Sequence, residues 1–460
     1  MFLEKIPSEG LAHLSYVFGD GKQAGVVDPR RDCETYLDIA HQNGAEITHV
    51  FETHRNEDYV IGSQELARRT GAAVYHGHAM DFAYGNPVSD GDRFELDGLF
   101  LTILETPGHT YESISITIHD PAFGQEPVGV FTGDALFVGD VGRTDFFPDA
   151  KEEVAGLLYD SIFEKLLPLG DHVILYPAHG AGSVCGSGMA SREFSTLGYE
   201  RLNNPVLQRT DRADFVQFKI QEKHYQPPYF RKMEEYNLKG NAQEMPRLPR
   251  PRPMPAAEFA KAMDNSMVAV DVRSPEAIAG ASIPGSLAIP LDMIPAYAGW
   301  FLEYGRPIGI VPEDGAHEQI ETAVRYLIRL GYDHVPGFLE GGLHEWETSA
   351  RHYQRIPALH IAELRERMEN NEEFTLLDVR KHDEFDAGHL ANAQHMFLGD
   401  IPARLDEISR DRPVVTFCGS GRRAIIAASI LKQHGFSDVS DCLGSMSACA
   451  DTACPVETSD

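Results

Sequence analysis

Apolar residues come in short runs along the first half of the chain, and their spacing predicts alternating strands and helices. Residues 45–51 form an apolar-rich run of buried-strand length, and residues 60–70 then follow helical spacing and stop at Gly71. His54 therefore falls at a corner where a strand ends and a helix begins. Such corners place side chains at the mouth of an α/β sheet, where ligands collect. Residues 14–27 alternate in part and predict two strands joined near Gly19-Asp20-Gly21, with Asp28-Pro29 ending the second. A helix is expected over 36–43, and strands over 73–76, 94–104, 113–119, 128–131 and 173–176, the last stopping just before His179. Strand, loop and candidate ligand recur as one unit, which predicts two sheets with helices outside.

The pattern changes over residues 239–255, where Pro246, Pro249, Pro251, Pro253 and Pro255 are interspersed with Arg247, Arg250 and Arg252. Proline at this density makes a stiff, extended spacer. Beyond it lies an internal repeat. Val268-Ala269-Val270-Asp271-Val272-Arg273 recurs as Thr375-Leu376-Leu377-Asp378-Val379-Arg380, and Pro307-Ile308-Gly309-Ile310-Val311 recurs as Pro413-Val414-Val415-Thr416-Phe417. Each copy reads strand, Asp-Val-Arg, loop, buried strand, helix, which is a small parallel α/β unit. The expected domains are residues 1–240, a Pro/Arg-rich linker over 241–256, and repeats over 257–353 and 354–460.

A chain of 460 residues exceeds one hydrophobic core. The net charge of −30, from 40 basic and 70 acidic side chains, disfavours nucleic acid and anionic membranes as partners. An anionic substrate must then be drawn in by local arginines. No apolar run reaches the roughly 18 residues of a membrane span, and the start lacks a secretory pattern. Six cysteines, Cys33, Cys185, Cys418, Cys442, Cys449 and Cys454, show no zinc spacing. A reducing, cytoplasmic setting is expected, as is a homo-oligomer.

The corner reads Thr53-His54-Arg55-Asn56-Glu57-Asp58-Tyr59. Thr106-Pro107-Gly108-His109-Thr110, Thr132-Gly133-Asp134 and Pro177-Ala178-His179-Gly180 follow in order. Together these segments resemble the Thr-His-x-His-x-Asp-His signature and later landmarks of the metallo-β-lactamase fold. His54 matches the first histidine and Asp58 the aspartate, but Asn56 and Tyr59 stand at the second and third histidines. A two-zinc hydrolase needs that full histidine set. What survives is His54, His109 and Asp134, which match the facial triad of non-haem Fe(II) oxygenases. A resemblance to persulfide dioxygenases implies the same ligands, with one Fe(II) per chain. Gly142-Arg143-Thr144-Asp145-Phe146 is similar to a run in those enzymes. The implied substrates are O₂ and a low-molecular-weight thiol persulfide, such as that of glutathione, giving sulfite and thiol. His179 matches a position that serves a second metal in two-metal members. Here it is expected beside the ligands, or bonded to substrate or water. Asp58 is expected to orient a ligand or loop, and a structural role stays open for both residues. Arg143 either anchors a substrate carboxylate or holds its loop. His76 and His78 share one strand face but match no family ligand, and are read as surface histidines.

The second repeat carries Gly388-His389-Leu390 and then Cys418-Gly419-Ser420-Gly421-Arg422-Arg423 opening a helix. Cys418 ends a buried strand, and the loop amides after it can form an anion nest. Helix dipole, amides and arginine would favour a thiolate able to attack a sulfane sulfur and hold it as a persulfide. Both repeats resemble rhodanese domains, the second more closely. The resemblance makes Cys418 the nucleophile and Gly419, Ser420, Gly421, Arg422 and Arg423 its substrate loop. In the first copy the loop is Pro312-Glu313-Asp314-Gly315-Ala316-His317, with proline at the cysteine position. That copy is expected to be structural or a docking domain. Cys449 stands where such domains usually carry tryptophan, either as a resolving thiol or as packing.

The implied fold class is α/β, a metallo-β-lactamase αββα sandwich followed by two rhodanese-like parallel α/β domains. The implied function is persulfide dioxygenation coupled to sulfur transfer among persulfide, sulfite and thiosulfate, in sulfide detoxification. Sulfite from one site is an acceptor at the other, so fusion raises its local concentration. Two alternatives stay open: a zinc thioesterase like glyoxalase II, and a non-catalytic sulfur-binding scaffold.

Overall fold

In the computed structural model, alternate residues of the strand His13–Asp20 enter two different cores. Tyr16 and Phe18 join Phe51, Ile103, Ile116 and Phe131 between two sheets, while Val17 joins Val26, Val50, Tyr36 and Leu66 under the outer helices. A strand buried on both faces reads as nearly continuous apolar sequence, which is why the alternation here was only partial. All residues are described except Val184, Cys185, Ser187, Ala450, Asp451, Ala453, Ser459 and Asp460. The reading of Cys185 thus lies outside the described residues. The chain divides into two units, Met1–Arg247 with Ile328–Gly331, and Leu248–Leu327 with Tyr332–Asp460.

The first unit is the expected sandwich. One six-stranded sheet runs Phe2–Ser8, His13–Asp20, Gln23–Val27, Glu46–Glu52, Ala73–Gly77, Asn86–Val88. The other runs Ser195–Thr196, Ile174–Pro177, Gly129–Gly133, Ile114–His119, Leu99–Glu105, Arg93–Leu96. Helices Glu34–Gln42 and Ser63–Thr70 cover the first sheet, and Lys151–Asp160 and Arg212–Gln221 pack with the second. Two details differ from expectation. The edge strand Phe2–Ser8 was not anticipated, and it pairs antiparallel with His13–Asp20. The run 94–104 is two strands, Leu96 facing Leu99 across Asp97 at φ 45° and Gly98 at φ 109°. Asp-Gly is the usual pair for such a tight hairpin.

The second unit contains two parallel five-stranded sheets of equivalent topology. Their orders are Arg252–Met254, Gly337–Leu339, Ile308–Val311, Val268–Asp271, Leu287–Ala288 and Ala358–Leu359, Val439–Cys442, Val414–Phe417, Thr375–Asp378, Gln394–His395. Part of the proline-rich stretch is therefore not spacer, since Arg252–Met254 is an edge strand beside Gly337–Leu339. An edge is where a strand tolerates proline. Asp271 pairs with Val311 and Asp378 with Phe417. Strand register alone thus makes Pro312 equivalent to Cys418. Among the described residues, no helix is long and apolar enough to cross a membrane.

Candidate metal centre and cysteine loop

Three loops at one end of the sandwich bring His54, His109 and Asp134 together. Their ligand atoms lie within 4.8 Å of one another, and all three side chains are buried. His54 follows the strand Glu46–Glu52, His109 lies between Leu99–Glu105 and Ile114–His119, and Asp134 directly follows Gly129–Gly133. The last placement needs glycine twice. Gly133 has φ 52°, and a Cβ there would meet Thr53 Oγ1 at 2.6 Å. A Cβ on Gly142 would meet the Asp134 carbonyl oxygen at 1.9 Å. The Thr-Gly-Asp and Gly-Arg-Thr-Asp-Phe runs thus fit against the residues they position.

Hydrogen bonds orient both imidazoles. His109 Nδ1 donates to the Arg143 carbonyl at 2.9 Å, since a carbonyl can only accept. His54 Nδ1 donates to Thr53 Oγ1 at 3.0 Å, because that hydroxyl itself donates to Asp28 Oδ2 at 2.6 Å. Both Nε2 atoms therefore face the cage. Asp134 Oδ2 is 3.5 Å from His109 Nε2 and 3.8 Å from His54 Nε2. Neither Nε2 nor Asp134 Oδ2 has a hydrogen-bond partner although each is buried. Buried polar atoms are rarely left so, and three converging on one point fit a divalent cation. Burial, helped by His109, pushes His54 down to about 4, so its imidazole is neutral near neutral pH. Burial opposes charge on Asp134, but His179 and then His54 outweigh it and hold the carboxyl well below its usual range.

His179 lies between two carboxylates. Nδ1 is 2.7 Å from Asp134 Oδ1 and Nε2 is 3.1 Å from Asp58 Oδ2. Burial alone would lower its pKa, yet Asp134 and Asp58 raise it well above the usual value. A doubly protonated ring satisfies both contacts, and it supplies positive charge on the side of Asp134 away from His54 and His109. Arg143 is tied to its own loop. Its guanidinium is buried, makes paired bonds to Asp145 at 2.7 Å each, and donates to the Tyr225 carbonyl. The surface reading of the remaining histidines holds for His78, which is exposed beside Glu105. It fails for His76, which is buried with Nε2 bonded to the Tyr84 carbonyl at 2.8 Å.

In the second unit, Cys418 ends the strand Val414–Phe417 and is buried. The Gly421 amide donates to its Sγ at 3.1 Å, and Gly421 takes φ 96° to start the helix Arg422–Gln433. The loop is fixed from behind by Ser445 Oγ on the Cys418 amide, and by the Met446 and Ser447 amides on the Cys418 and Gly419 carbonyls. Arg423 makes a double ion pair with Glu384 at 2.6 and 2.7 Å, and Arg422 pairs with Asp292. Both expected anion-binding arginines thus have carboxylate partners. Tyr297, from the helix Ile294–Phe301 of the first repeat, lies beside Arg423; burial pushes its phenol up to about 12. Cys449 packs among Phe417, Cys442 and Leu376, and burial raises its thiol, which suits packing. Because Pro312 has no thiol at the equivalent place, Pro312→Ala is expected to change thiosulfate sulfurtransferase rate by less than about twofold, as for an independent site. A tenfold loss in a steady-state assay would contradict that.

A sequence model of the metallo-beta-lactamase superfamily matches residues 9–179, and a model of the rhodanese-like domain matches residues 255–349 and 360–452. A solved structure, a metallo-beta-lactamase from Staphylococcus aureus subsp. aureus COL, is 30% identical with a TM-score of 0.66, covering 74% of this chain and 99% of that one. The chain belongs to the metallo-β-lactamase superfamily. It carries two rhodanese-like domains after the metallo-β-lactamase domain. Hydroxyacylglutathione hydrolase GloC of Haemophilus influenzae is 28% identical over 45% of this chain and 98% of its own length. Persulfide dioxygenase ETHE1, mitochondrial, of Bos taurus is 27% identical over 42% of this chain and 70% of its own.

Within the superfamily signature, Asn56 and Tyr59 stand at the second and third histidine positions and each makes a hydrogen bond to a backbone carbonyl. Asn56 has φ 49°, a conformation asparagine tolerates best among residues with a Cβ, and its Nδ2 donates to the His54 carbonyl at 2.9 Å. Tyr59 packs against buried His13, ring centroids 4.1 Å apart and tilted by 38°, and donates to the Asp28 carbonyl. His13, Glu57 and Tyr297 were not singled out from sequence. The one available signal was that His13 and Glu57 stand in apolar or motif-bearing stretches where an ionisable residue is costly.

Proposed function

We propose that the metallo-β-lactamase domain is an Fe(II) persulfide dioxygenase and that the last domain is a sulfurtransferase. The reading is supported above all by the cage itself: two imidazoles and one carboxylate converge, while His179 lies between Asp134 and Asp58. The relative named as a persulfide dioxygenase and the attached rhodanese-like domains agree with it. His54, His109 and Asp134 would hold the iron. Bound there, it would supply the activation of dioxygen and the site for the terminal persulfide sulfur. Persulfide, dioxygen and water then give thiol, sulfite and two protons. The chain's own contribution is orientation: fixed Nδ1 hydrogen bonds, a charged Asp134, and a buried cage that keeps bulk water out.

At Cys418 the thiolate attacks the outer sulfur of thiosulfate or of a persulfide. The old S–S bond breaks, sulfite or thiol leaves with its electron pair, and a new S–S bond forms on Cys418. Return to an acceptor reverses these steps, with the Gly421 amide available to the sulfur throughout. Metal analysis paired with oxygen uptake on glutathione persulfide tests the first site. One iron per chain and one dioxygen per sulfite are expected. The hydrolase relative favours a second reading, thioester hydrolysis. Anaerobic turnover of an S-acyl glutathione by protein holding two metals would replace the proposal with it.

A further inference from the structure

We propose that Glu57 is a fourth protein ligand, making the centre a two-histidine, two-carboxylate site. Glu57 sits at an unspecified position of the signature, yet its side chain is fully buried. Its Oε2 is 3.4 Å from His109 Nε2 and 3.9 Å from His54 Nε2, the same two atoms that Asp134 Oδ2 faces. Like them, this oxygen has no hydrogen-bond partner. Ligands bonded at about 2.0–2.2 Å to one ion lie roughly 3–4 Å apart, so both separations fit a shared cation. Asn56, the residue before Glu57, has φ 49°. Arg55 approaches only the other oxygen, at 3.4 Å.

Two carboxylates would neutralise the charge of a divalent ion held there. They would also favour harder ions such as Fe(II) and Mn(II) over Zn(II). The inference rests on the metal reading of this site but not on which reaction occurs there.

Co(II) loaded anaerobically into the full-length protein is the probe. Its affinity is read by chelator competition and its coordination number by visible absorption. Glu57→Gln, nearly isosteric, should weaken Co(II) binding by more than about 100-fold, beyond the 10–100-fold cost of losing a hydrogen-bonding neighbour. It should also raise the visible absorption as coordination falls. Glu57→Asp should recover part of the affinity, and circular dichroism should report an unchanged fold for both. Wild-type affinity and spectrum in a folded Glu57→Gln protein would overturn the fourth-ligand assignment alone. Failure of the wild-type protein to bind Co(II) or Fe(II) would overturn it together with the metal reading.

Discussion

Asp134→Ala should abolish oxygen uptake on a thiol persulfide and reduce bound iron to a small fraction of the wild-type content. The effect is large because Asp134 holds two partners at once. Oδ2 faces both Nε2 atoms of the cage, and Oδ1 is bonded to His179 at 2.7 Å. Alanine removes a ligand and leaves a charged ring facing only Asp58, and unpairing one member of a buried ion pair costs about 3–5 kcal/mol. Asp134→Asn separates these effects. It preserves shape and can still accept from His179, so folding should survive while iron is lost. Thiosulfate sulfurtransferase activity should be unchanged in both variants. Metal analysis with parallel assays of the two activities checks this, and iron-replete Asp134→Asn would remove Asp134 from the ligand set.

The second large effect is expected at Cys418. Serine there should lower sulfurtransferase activity by at least about a thousandfold, since losing a covalent nucleophile removes the whole pathway rather than one contact. Thiosulfate treatment of the wild-type protein should add the mass of one sulfur atom, and Cys418→Ser should take up none. Folding should be preserved, because the Gly421 amide can donate to an oxygen as it does to Sγ, and the Ser445, Met446 and Ser447 contacts act on the loop backbone. Iron content and persulfide-dependent oxygen uptake should stay at wild-type levels. Retained transfer in the variant would move the chemistry to another thiol.

The strands and their ends were legible because local apolar spacing decides them. The hairpin at 13–27 and the runs ending at residues 52, 133 and 177 appear within a residue or two of the positions the pattern marks. Phe2–Ser8 escaped because an edge strand needs only one paired side, and Arg252–Met254 because proline reads as spacer until a partner strand is known. The Asp97-Gly98 turn was in plain view, but a long apolar run masked it.

By itself the sequence determined the types of ligand available, the replacement of two signature histidines by Asn56 and Tyr59, the repeat, and the cysteine in one copy with proline in the other. Those are properties of residue identity and spacing along one strand or loop, which the backbone period carries directly. Tertiary structure alone decided that Glu57 turns inward, that His179 lies between Asp134 and Asp58, that Arg143 holds its own loop, and that Tyr297 of the first repeat meets Arg423 of the second. Each of these depends on where burial leaves a charge facing a partner. Except for the short-range pair Arg143 and Asp145, the partners come from separate loops or strands that only the packed sheets bring within a few ångströms.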